Sequence, residues 1–120
     1  MDKIYVKDLQ FFAYHGVFEE EKKNGQNFII NLVLEMDLSA AGTSDDLART
    51  VNYGTVYDIA KEVTVNQRFD LIETLAETLS QRILREFPRV NAVTVRVDKP
   101  LAPGSDGGFH AAVELRREQQ

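Results

Sequence analysis

Alternation of apolar and polar positions dominates the first third of the chain. Ile4 and Val6 share one parity, and Leu9, Phe11 and Ala13 carry the apolar set on the other. A phase change near Lys7–Asp8 predicts a β-bulge, in which one extra residue re-aims the faces of a strand. Phe28, Ile30, Leu32, Leu34, Met36 and Leu38 then fall on even positions, while Asn31, Glu35 and Asp37 fall on odd ones. This is the clearest period of two in the chain, and it predicts a long strand with one buried face. Between the two runs lies "GVFEEEKKNGQN", a charged turn region with Gly25 near its end. Two long strands joined in this way predict an antiparallel hairpin.

The period then lengthens. After the polar connection "SAAGTSDDLARTVNYG", Val56, Ile59, Ala60 and Val63 recur at helical spacing. Asn52 is placed to cap this first helix. A second helix is predicted from about Leu71 to Phe87, with Leu75, Ala76, Leu79 and Ile83 on its buried stripe and Pro88 as its stop. Asp70 and Glu73 stand at the spacing of an N-cap and an acid three residues later. Glu73 is therefore either helix-end chemistry or a ligand-binding group. Alternation returns with Val93, Val95 and Val97 on one face of a third strand. After the loop "KPLAPGSDGG", Phe109, Ala111, Val113 and Leu115 form one face of a fourth, and the tail "RREQQ" is expected to fray.

The order ββααββ predicts an α+β fold, a four-stranded antiparallel sheet with two helices on one face. The opposite face still carries Tyr5, Phe12, Tyr14, Ile29 and Val33. Long strands with open edges invite pairing with another chain. The expectation is a homo-oligomer whose sheets join edge to edge, closing into a β-barrel. A monomeric sandwich is the alternative.

Composition narrows the function classes. A length of 120 residues fits one domain, 1–120. The chain is 43% hydrophobic and 28% charged, as expected of a folded protein. A net charge of −5 argues against a nucleic-acid partner, which needs a basic face to neutralise phosphates. There is no cysteine, so disulfides, thiolate nucleophiles and cysteine-ligated zinc are excluded. "MDKIYVKDLQ" lacks the apolar core of a signal peptide, and no apolar run approaches a membrane span, so the cytoplasm is the expected compartment.

Candidate chemistry is sparse. His15 and His110, the two histidines, show no ligand spacing and cannot form a three-histidine zinc site. No nucleophile elbow is present. "PGSDGG" precedes a strand rather than a helix, and so is a weak phosphate cradle. Lys99 stands where "VTVRVD" ends and the Pro100 loop begins, a common place for functional groups. A lysine there is a base if burial or a nearby cation disfavours its charged form, and otherwise a solvated strand end. Tyr53, just before a helix, is a packing aromatic unless other positions recruit it.

Taken together, "YHG" at 14–16, Glu21, "GQ" at 25–26, "TVNYG" at 50–54, "LIETLAE" at 71–77 and "VRVDKPLAPG" at 95–104 follow one another in order. This series resembles the dihydroneopterin aldolase family over nearly the whole chain. The resemblance implies the T-fold (tunnelling fold), a tetrameric barrel commonly stacked into an octamer, and sites between subunits. It implies a pterin substrate and metal-independent retro-aldol cleavage of 7,8-dihydroneopterin, with no cofactor and an epimerase side activity at C2′. Lys99 would be the general base and Glu21 would orient hydroxyls and water. Tyr53 from a neighbouring chain would cover the ring and assist protonation. Glu73 would accept two parallel pterin donors as a bidentate carboxylate, with the Ile72 N–H as a further anchor and Val51 and Asn52 beside Tyr53. Many relatives carry a longer loop and a histidine where this chain has Ser105. A dihydroneopterin triphosphate epimerase and a non-catalytic pterin-binding ring are the alternatives.

Overall fold

The structure, a computed structural model, describes residues 1–102 and 108–120. Ser105 and most of "PGSDGG" lie outside the described residues. Four strands, β1 (Asp2–Ala13), β2 (Gln26–Met36), β3 (Ala92–Lys99) and β4 (Ala111–Glu118), form one antiparallel sheet in sequential order. Helices α1 (Glu19–Asn24) and α2 (Ser39–Ser44) are short. Helices α3 (Tyr53–Asn66) and α4 (Ile72–Glu86) are long and cover one face of the sheet. α3 lies on β1, and α4 lies on β3 and β4.

The core is the even face of β2 and the odd face of β3 pressed against the helical stripes. Phe28, Ile30, Leu32, Leu34, Val93, Val95 and Val97 are fully enclosed, as are Val56, Val63, Leu75, Leu79 and Ile83. Each such side chain contributes about 1.5–3 kcal/mol by leaving water. The predicted bulge is present: Val6 faces Leu32 and Leu9 faces Ile30, so Lys7 and Asp8 together oppose Asn31. Asp8 takes a φ of 59°, and its N–H donates to Asn31 Oδ1 at 2.9 Å. Both halves of β1 thereby keep their apolar residues inward.

The other face is divided. At the β1–β2 side Tyr5, Phe12 and Tyr14 are exposed, and Ile29 and Val33 are half-buried. Toward β4 the face is ion-paired, with Arg116 on Glu35 at 2.9 Å and Arg96 on Asp98 at 2.8 Å. Among the described residues, no helix is long and apolar enough to cross a membrane.

Four local expectations are corrected. The charged turn after β1 contains α1, whose Glu19–Glu21 and Lys22–Lys23 complement the ends of its dipole. It buries nothing, so it leaves no apolar period to detect. Asp70 does not cap α4: its carboxylate pairs with Arg68 at 2.9 Å, and Leu71 holds the cap position without a side-chain bond. Phe109 lies outside β4 and is 64% exposed. The tail is paired through Gln119, whose N–H donates to Asn91 O at 2.7 Å and whose amide donates to Leu84 O at 2.9 Å and Val90 O at 3.0 Å. Three otherwise open carbonyls are satisfied there, which outweighs the fraying tendency of a polar end.

Candidate active site

Lys99 is the last residue of β3 and shares the inward parity of Val93, Val95 and Val97. A lysine placed on that face must be buried, and Lys99 is 8% exposed. Its ammonium meets the carboxylate of Glu21. Glu21 is the third residue of α1; its Oε1 accepts the Phe18 N–H at 3.2 Å, while Oε2 turns to Lys99. The two side chains are 10% and 9% exposed. Burying such a pair forfeits several kcal/mol of hydration per ion, and an apolar pair of the same volume often serves stability better. The site is therefore better explained by chemistry than by folding.

Gly16 admits this arrangement. Its φ is 149°, and a β-carbon there would strike the Glu21 carboxyl group. Its N–H donates to Phe69 O at 3.0 Å, which ties the Glu21–Lys99 pair to the segment leading into α4. Arg68 reinforces the tie, donating to Tyr14 O at 3.0 Å and to Gly16 O. Ile72 and Glu73 open α4 just beyond. Glu73 is exposed, and among the described residues nothing bonds its carboxylate.

His15 is a scaffold residue. Its Nε2–H donates to Thr64 O at 2.8 Å, and its Nδ1 accepts the Phe69 N–H at 3.0 Å, which requires the neutral ring. Burial pushes its pKa below the ordinary value, and the charges of Arg68 and Lys99 act in the same direction. The ring stacks on Phe69 at 5.6 Å. His110 lies on the opposite face, with Nε2 at 2.8 Å from Asp98. The Arg96 guanidinium, and then His110, hold the Asp98 carboxyl below the usual range. His110 therefore does not join Lys99. "YHG" was the only sequence signal for the His15 and Gly16 roles, and neither role follows from residue type alone.

Val51, Asn52 and Tyr53 stand elsewhere. Asn52 caps α3, its Oδ1 accepting the Gly54 N–H at 2.9 Å. Val51 is buried, and Tyr53 is 67% exposed. With Leu47 and Thr50 they line a depression of about 360 Å³. Roughly 17 Å of helical rise separates Tyr53 from Thr64, the residue that touches His15. One protomer thus brings Glu21 to Lys99, and sets Gly16 against Glu21, but leaves Tyr53 at the far end of α3. Among the described residues, no group of three or more His, Asp or Glu side chains is gathered to hold a metal ion.

The same architecture recurs in solved structures. The E. coli dihydroneopterin aldolase in complex with neopterin matches with a TM-score of 0.88 at 24% identity, covering 98% of this chain and 99% of that one. A Vibrio cholerae FolB protein gives 0.89 at 29% identity, with 98% of each chain covered. A uricase from Bacillus fastidious gives 0.72 at 18% identity, over 98% of this chain and 44% of its own. The protein is thus a T-fold protein, of the architecture that aldolases and urate oxidases share.

Sequence narrows the class. The family profile "FolB: Dihydroneopterin aldolase" matches residues 4–116. The dihydroneopterin aldolase of Bacillus subtilis (strain 168) is 42% identical over 119 residues, with 99% of each chain covered. That of Methylorubrum extorquens is 46% identical over 116 residues, covering 97% of this chain and 89% of its own. The chain belongs to the dihydroneopterin aldolase family. Its reaction is that carbon–carbon lyase step of folate biosynthesis.

Proposed function

We propose that Lys99, Glu21 and Tyr53 carry the cleavage, and that Glu73, Ile72, Val51 and Asn52 hold the pterin. The observation that carries this reading is the buried Lys99–Glu21 pair beside the start of α4. Glu73 offers an exposed carboxylate in the first turn of a helix, where negative charge is favoured. Its two oxygens accept the N3–H and 2-amino donors of the pterin, and the Ile72 N–H supplies a further anchor. The E. coli relative's complex with neopterin supports the ligand class.

Lys99, acting through a water, takes the proton of the 2′-hydroxyl. The C1′–C2′ bond breaks, glycolaldehyde leaves, and the electron pair enters the C6=N5 imine that the substrate itself carries. The chemistry thus needs neither a lysine Schiff base nor a zinc ion. Protonation at C1′, assisted by Tyr53, gives 6-hydroxymethyl-7,8-dihydropterin. Glu21 holds the side-chain hydroxyls and the water. Re-addition of glycolaldehyde on its other face gives the C2′ epimer as a side product.

Tyr53 comes from a neighbouring chain, because helix α3 holds each protomer's own copy away from its Lys99. The uncovered apolar residues and the open edges of β1 and β4 support a ring of four chains closed into a barrel, two such rings making an octamer. Each chain acts as a single domain, in the cytoplasm. Two inactive variants, Lys99→Ala and Tyr53→Ala, test the shared site. Mixed through denaturation and refolding at equal amounts, they regain about a quarter of wild-type glycolaldehyde release, since one pairing in four joins two intact halves. No recovery would place both groups in one chain's site.

A further inference from the structure

We propose that Gln26 is a positioning residue for Lys99, a role that rests on Lys99 being the base. The pairing of β2 with β3 ends at Ile29–Asp98, and Pro100, two residues on, has no N–H to extend it. In that register, three further steps set Gln26 opposite Leu101. The Gln26 side chain supplies the missing rung. Its Nε2 donates to Leu101 O at 2.9 Å, and its Oε1 accepts the Leu101 N–H at 2.8 Å. A primary amide has one donor and one acceptor side by side, as a facing strand residue does, so both backbone groups of Leu101 are satisfied.

The frame behind this clamp is stiff. Gln26 is 8% exposed and its backbone pairs with Ala13 of β1. Gly25, at φ 67°, brings the chain into β2; a β-carbon there would lie 2.6 Å from the Phe12 ring. On the other side, the Ala102 N–H donates to Phe109 O at 2.9 Å. On its β2 side Lys99 therefore sits between a ladder pair at Asp98 and a side-chain clamp at Leu101, while on its β4 side it pairs with Ala111. Without the clamp, Lys99 keeps only its pairing with Ala111, at the open end of the β3–β4 ladder, and its ammonium shifts with the Pro100 loop.

The test compares Gln26→Met and Gln26→Glu with wild type and with Lys99→Ala, by glycolaldehyde release and by neopterin titration. Methionine keeps length and burial but loses both bonds. Gln26→Met is expected to lose about 10²-fold in kcat, the scale of a small misplacement of a catalytic group. Its Kd for neopterin stays near wild type, since no pterin contact changes. Glutamate regains both bonds only when protonated, because the neutral acid has the amide's donor and acceptor pair and the carboxylate has no donor. The kcat of Gln26→Glu relative to wild type therefore rises as pH falls through the new carboxyl's titration, while that of Gln26→Met stays flat. Should Gln26→Met not fold, the pH dependence of Gln26→Glu decides alone. A wild-type kcat in Gln26→Met, or a flat ratio for Gln26→Glu, overturns the clamp while Lys99→Ala remains inactive. Turnover surviving in Lys99→Ala overturns the reading beneath it as well.

Discussion

Replacing Glu73 with alanine separates the two readings of that acid. Among the described residues its carboxylate bonds no backbone N–H, and the cap position belongs to Leu71. Stability therefore loses only the attraction between a negative charge and the start of α4, about 0.3–1 kcal/mol for an exposed group. For a domain of this size that is a fall in Tm of no more than about 4 °C. Binding loses two hydrogen bonds to an ionised acceptor, each about 1.5–3 kcal/mol. Together they amount to roughly 3–6 kcal/mol, or about 10²–10⁴-fold in Kd. Titration with neopterin, beside thermal unfolding and a sizing measurement of the same sample, reads all three quantities. An affinity within about threefold of wild type, with Tm falling by 8 °C or more, would refute the argument and return Glu73 to helix-end chemistry.

Lys99→Ala is expected to lower kcat by about 10²–10⁴-fold while Kd for neopterin holds, the measure of a lost general base. Gly16→Ala forces a β-carbon into the Glu21 carboxyl at a φ hostile to alanine; a loss of about 1–3 kcal/mol in urea unfolding is expected. Its kcat falls too, because Glu21 can yield only by leaving Lys99. For His15, burial lowers the native pKa below the unfolded value of about 6.5. The unfolded chain therefore takes up the proton first as pH falls. The stability that neutral His15 contributes is complete above that value and drains away between it and the lower native pKa. His15→Gln should show a smaller loss of urea midpoint between pH 7.5 and pH 5.5 than wild type.

Much of this was legible in the chain, for identifiable reasons. Period two marks β2 because Phe28 to Met36 place one face against helices and the other against solvent or a partner. The slip at Lys7–Asp8 announced the bulge, since a strand buried on one face cannot change phase otherwise. α1 stayed hidden because it buries no residue, and charge order alone is a weak signal. The false cap at Asp70 has a competing cause: Arg68, two residues earlier, takes that carboxylate. The polar tail reads as a loose end because the partners of Gln119, Leu84 and Val90, are carbonyls that only the fold brings near. Within the site, Lys99 stands out by its place at a strand end, but its role as base and the role of Glu21 come from the family resemblance rather than from spacing. Their contact joins positions far apart in the chain, which no local pattern encodes.

Asp8, with its left-handed backbone, works as a frame marker. Removing that one residue would let the hairpin zip without interruption, and Ile4, Val6, Leu9, Phe11 and Ala13 would then share one parity and one face, with Tyr5 still outward. A single loss from the first strand is thus admissible at the bulge itself but not elsewhere along it, whereas the polar run before α3 can gain or shed residues singly. A single-codon deletion scan should show that asymmetry as a dip on either side of positions 7–8 that lifts at those two, beside a tolerant stretch around 43–46.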